Sequence, residues 1–150
     1  MLFSNVQPVE SQMQTTTPNQ VERAASASAA APSKAKEVSL NALSIEKEVR
    51  GYFKDTPQLV GVAWCESRFR HTDKEGNIFR GLANSKDIGV MQVNEAYHLE
   101  KSKSLGFDIY TVKGNMAYAK YLFEKEGLSP WNSSKACWGS ASKNAEVAFR

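Results

Sequence analysis

Residues 57–67 read Pro57-Gln58-Leu59-Val60-Gly61-Val62-Ala63-Trp64-Cys65-Glu66-Ser67. A proline suits the first turn of a helix, where its missing N–H would have no intrahelical partner, so this stretch predicts a helix from Pro57 to about Ser67. Six of its positions are apolar (Leu59, Val60, Val62, Ala63, Trp64 and Cys65), which predicts burial nearly all round. Leu59, Val62 and Ala63 define one face, and the next position on it, seven residues after Leu59, is Glu66. A carboxylate that continues an apolar stripe is disfavoured in its charged form, and an acid kept neutral in a crevice is suited to protonating a leaving-group oxygen. The alternative is a helix-end carboxylate that turns to solvent or pairs with Arg68 or Arg70.

Upstream, Ile45, Val49, Tyr52 and Phe53 recur at helical spacing behind Ser44, predicting a capped amphipathic helix over 45–54. Downstream, Asp73-Lys74-Glu75-Gly76-Asn77 is a turn between Phe69-Arg70-His71 and Ile78-Phe79-Arg80. This predicts a small β-hairpin, with a third short strand near Ile88–Val90. Asn94 is a candidate N-cap for a helix that stops by Gly106. Thr111 caps a further helix with Val112, Met116, Ala119 and Phe123 on its apolar stripe and Gly127 as its stop. Helices around a minor β element make a helix-dominated α+β fold.

The chain has 150 residues, 41% of them hydrophobic, which is room for one domain of ordinary size. Residues 1–37 hold one aromatic residue, Phe3, no Gly, and three of the five prolines. So little to bury predicts a disordered tether, or a frayed helix around Val21–Ala31, ahead of a folded domain over 38–150. No run reaches the roughly 18 apolar residues of a membrane span. The net charge of +3 comes without a basic run, which argues against nucleic acid as a partner.

Three further segments extend the reading. Trp64-Cys65-Glu66-Ser67-Arg68-Phe69, then Asp87-Ile88-Gly89-Val90-Met91-Gln92-Val93-Asn94, then Gly114-Asn115-Met116-Ala117-Tyr118-Ala119-Lys120-Tyr121-Leu122 resemble, in that order, the lysozyme-like lytic transglycosylases. These comprise the soluble lytic transglycosylase family and its goose-type lysozyme relatives. The resemblance spans roughly residues 45–138 and implies a lysozyme-like fold acting on peptidoglycan glycan strands, without cofactor or metal. Glu66 matches the catalytic acid/base that protonates the oxygen of the β-1,4 bond between N-acetylmuramic acid and N-acetylglucosamine. Ser67 matches the serine that follows it, and Gly89, Met91 and Gln92 match the segment that lines the cleft. Tyr118 or Tyr121 would face the saccharide, whereas Trp131 and Trp138, which could stack on sugar rings or seal the core, are read as packing because Trp138 adjoins Cys137.

Two departures stand out. Pro130 to Trp138 occupy the place of a downstream Ala-Tyr-Asn motif found in many members. Gln92-Val93-Asn94 replaces the goose-type Gln-Val-Asp, whose Asp is implicated in placing water. Asn94 is a poor base, which tilts the expectation from hydrolysis towards attack by the muramic acid's own 6-hydroxyl, giving a 1,6-anhydro product. Asp87 is the candidate second carboxylate, set against a turn residue or a salt bridge with Lys86 or Arg80. A lysozyme-type hydrolase and a glycan-binding module without turnover are the alternatives.

Cys65 and Cys137 would form a disulfide in an exported protein and remain buried thiols in the cytosol. A zinc site from Cys65, Cys137, His71 and His98 is disfavoured by the absence of a short-spaced ligand pair. Export to the periplasm, the cell wall or beyond is therefore the expectation, although Met1-Leu2-Phe3 opens without the basic and apolar regions of a secretion signal.

Overall fold

The computed structural model describes residues 34–140, with side chains from residue 41. Four α-helices, α1 (Lys34–Tyr52), α2 (Pro57–Ser67), α3 (Glu95–Ser104) and α4 (Val112–Glu126), surround a two-stranded antiparallel sheet. Strand β1 (Asp87–Ile88) pairs with β2 (Val93–Asn94), with Asp87 opposite Asn94 and Ile88 opposite Val93. A 3₁₀ segment, Ser129–Ser134, follows α4, and residues 135–140 continue as helix. The fold is helix-dominated α+β. Among the described residues no helix is long and apolar enough to cross a membrane.

The tether expected over residues 1–37 lies outside the described residues except for its last four, which open α1. Ser44 accordingly sits inside that helix and does not cap it. Ile45, Val49 and Phe53 are buried along one stripe of the α1 region, while Tyr52 faces outward. Burying side chains of this kind contributes about 1.5–3 kcal/mol each, which makes the stripe the reason this segment docks.

Helix α2 packs between α1 and the 3₁₀ segment. Pro57 occupies its first turn, and the helix ends where Arg68 and Phe69 both adopt left-handed backbone, at φ 55° and 58°. Burial all round is not observed: Leu59, Val62, Ala63 and Ser67 are inside, but Trp64 is half exposed, with the Arg68 guanidinium 4.5 Å from its ring.

The hairpin expected from Phe69 to Arg80 is reduced to one bridge, Thr72 to Ile78, around the anticipated turn. Asp73 Oδ1 accepts the backbone N–H groups of Glu75 and Asn77, so the side chain does the work that a longer ladder would have done. The third short strand expected near Ile88–Val90 is present as β1, where Ile88 bridges to Arg80, and the two-stranded sheet is completed by β2 across the turn from Gly89 to Gln92. Both helix caps read from sequence are present: Asn94 Oδ1 accepts from Ala96 and Tyr97 N–H, and Thr111 Oγ1 accepts from Gly114 N–H. Gly127 ends α4.

Candidate active site

A solvent-open cleft of about 90 Å³ is lined by Glu66 from α2, Asp87, Val93 and Asn94 from the sheet, Gln92 from the turn between its strands, His98 from α3, Leu122 from α4, and Pro130, Trp131 and Ser133 from the 3₁₀ segment. Glu66 is half buried on its wall. Ser134 Oγ donates a 2.6 Å hydrogen bond to Glu66 Oε1. Burial holds the Glu66 carboxyl above the ordinary carboxylate range; the Ser134 hydroxyl opposes this, and the negative charge of Asp87 adds to it. The group therefore stays neutral to a higher pH than a surface glutamate, as proton donation to a leaving group requires.

Asp87 lies in the same cleft. Asn94 Nδ2 donates to its Oδ1 at 2.7 Å and Asn84 Nδ2 at 3.3 Å. The salt bridge with Lys86 or Arg80 does not form, because both cations bind Glu95 instead, Arg80 at 2.8 Å and Lys86 at 3.6 Å. Glu95 is further held by the Tyr110 hydroxyl at 2.7 Å. Asp87 has no ion-pair partner among the described residues.

Of the other residues expected to meet substrate, Gln92 and Asn94 line the cleft. Gln92 adopts φ 50°, and its Nε2 donates to Gly89 O at 2.8 Å. Ser67 does not face the cleft. It is 1% exposed, and its hydroxyl is shared between Ala63 O at 3.1 Å and Val90 O at 2.8 Å, which ties the end of α2 to the turn after β1.

Gly89 is needed for packing inside the protein rather than for close approach of a sugar. At φ 72° a Cβ would lie 2.7 Å from Asn115 Nδ2 and 2.9 Å from His71 Cε1. Met91 is fully buried, its N–H bonded to Asn115 Oδ1 and its carbonyl to Trp131 Nε1. Tyr118 is buried among His98, Phe107 and Tyr121, and Tyr121 rests on it with ring centroids 5.6 Å apart. Neither tyrosine lines the cleft. Trp131 and Trp138 are both buried and linked by a bond from Trp138 Nε1 to Trp131 O, and Trp131 also lines the cleft.

Cys65 and Cys137 form a disulfide, with Cα atoms 5.9 Å apart, so neither is free to bind a metal. His71 is buried and acts as a brace: its Nδ1 accepts from Val90 N–H and its Nε2–H donates to Tyr110 O.

The sequence reading overlooked Ser134 and the cleft position of His98. Each left a trace: His98 is one helical turn beyond Asn94, and Ser134 is three residues before Cys137, the partner of the residue next to Glu66. No protein-family model, curated protein or solved structure matches this chain.

Proposed function

We propose that this protein is a peptidoglycan lytic transglycosylase of the lysozyme-like kind, acting outside the cytosol, with Glu66 as its acid/base. The observation that carries the reading is the Glu66 carboxyl group, on the wall of an open cleft, in contact with Ser134 and made to hold its proton more tightly by burial. Glu66 donates its proton to the glycosidic oxygen as the bond from muramic acid C1 to that oxygen breaks. The substrate's acetamido oxygen then stabilises C1. The ionised Glu66 next takes the proton of the 6-hydroxyl as O6 bonds to C1, so that no water is consumed and Glu66 is restored. The disulfide fits a site of action in an oxidising compartment.

Hydrolysis is the second reading, favoured by Asp87. This carboxylate is held in the same cleft by two side-chain amides and lacks a cationic partner, as a group that activates water would need to be. Product analysis separates the two. Purified peptidoglycan incubated with the protein is expected to release muropeptides lighter by one water than hydrolytic products. Glu66→Gln should cut release by at least about a hundredfold. Reducing-end products would select hydrolysis, and glycan binding without any release would overturn both enzymatic readings.

A further inference from the structure

His98 is the third titratable group on the cleft wall, beside Glu66 and Asp87. Its Nδ1 lies 3.1 Å from the hydroxyl of buried Tyr118, and the two rings are tilted against each other with centroids 5.4 Å apart. The imidazole is thus held from behind, and Nε2 meets no partner among the described residues. Burial pulls His98 below its ordinary pKa against the opposing charge of Glu126, which favours the uncharged ring with one hydrogen-bonding nitrogen over the cation. A cleft holding two carboxyl groups and a neutral imidazole suits an uncharged polar ligand and repels an anionic one.

We propose that His98 is a substrate-binding residue whose Nε2 hydrogen-bonds an uncharged hydroxyl or acetamido group of the saccharide, with Tyr118 as the residue that positions it. The inference rests on the glycan-cleaving function proposed above and assigns that function a contact outside the Glu66 chemistry. Such a contact, made equally in bound substrate and transition state, acts on KM and leaves kcat nearly unchanged.

Two substitutions separate hydrogen bonding from packing. His98→Phe keeps a ring against Tyr118 and removes both nitrogens. His98→Gln places an amide nitrogen near the position of Nε2. With the full chain, His98→Phe should raise KM for purified peptidoglycan about tenfold, the worth of one good hydrogen bond, with kcat within about twofold. His98→Gln should stay within about threefold of the unaltered protein. In the unaltered protein, the Nε2 resonance of His98 should move when an uncharged N-acetylglucosamine tetrasaccharide is added.

An unchanged KM in His98→Phe, or an Nε2 resonance indifferent to the tetrasaccharide while the protein still cleaves peptidoglycan, would overturn the assignment alone. Equal KM losses in both variants, accompanied by equal losses of Tm, would reduce His98 to packing. If the unaltered protein neither cleaved peptidoglycan nor bound the tetrasaccharide, the glycan-cleaving function would fail and take this inference with it.

Discussion

The Ser134 hydroxyl reaches Glu66 Oε1 at 2.6 Å across 68 residues of chain. A donor to the carboxyl oxygen favours the ionised form, whereas burial and the Asp87 charge favour the neutral one. The proton affinity of Glu66 is therefore set by groups from three separate segments, and each can be altered alone.

For Ser134→Ala the proton on Glu66 should be held more tightly. A general acid works only while protonated, so activity falls as pH rises through its pKa. Removing the group that lowers that pKa should move the alkaline limb of the rate profile to higher pH, which a pH series of turnover would measure. A limb that moved to lower pH would contradict the assigned role of the hydroxyl.

Asp87→Asn should act in the opposite direction. The amide carries no charge to disfavour ionisation of Glu66, so the alkaline limb should move to lower pH. If hydrolysis operates, turnover should also fall by about a hundredfold or more, whereas the anhydro-forming route should lose far less. Turnover measured at the acidic plateau separates this loss from the shift.

Glu95 is held well below the ordinary carboxylate range, at about 2, by hydrogen bonds from Arg80 and Tyr110 together with the Arg80 and Lys86 charges. With the folded value below the unfolded one, its stabilisation is present above about pH 4.5 and is lost as pH falls towards 2. Glu95→Gln should cost roughly 1 kcal/mol at pH 7 once solvent screening of these exposed partners is allowed for. The cost should vanish near pH 2, as urea unfolding at several pH values would show.

Asn115 is fully buried, with Nδ2 donating to Ile88 O at 3.1 Å and Ile109 O at 3.0 Å and Oδ1 accepting from Met91 N–H at 2.9 Å. Asn115→Leu would strand three backbone groups in the interior. The expected loss is about 3 kcal/mol or more, visible as a lower denaturation midpoint. Gly89→Ala should also be destabilising, since its Cβ would collide with the same side chain.

Local signals were the legible part of the sequence. Pro57, Asn94, Thr111 and Gly127 mark helix ends through chemistry confined to one turn, and all four do so in the structure. Glu66 showed itself by interrupting an apolar face. What sequence spacing could not report was which side of a tight turn faces solvent. Gly89 and Gln92 both take positive φ, and the turn they build directs Met91 into the core while leaving Gln92 on the cleft. Tyr118 and Tyr121 do share a surface, as their three-residue separation implied, but it packs against the core, with Tyr118 buried and Tyr121 partly buried, and does not line the cleft. The roles of Ser134 and His98 arise from contacts between distant segments, which a periodicity cannot encode.

The Cys65–Cys137 bond, with its 72-residue separation, makes nearly the whole cleft-bearing stretch a covalent ring. Leu82, at 99% exposure, lies in the loop ahead of Asp87 and is an open target for a protease. A single cut there would leave two polypeptides that still travel together, with Glu66 on one and Ser134 on the other. Reductant would let them part. A clip at this exposed point would thus leave both walls of the cleft tethered to one another.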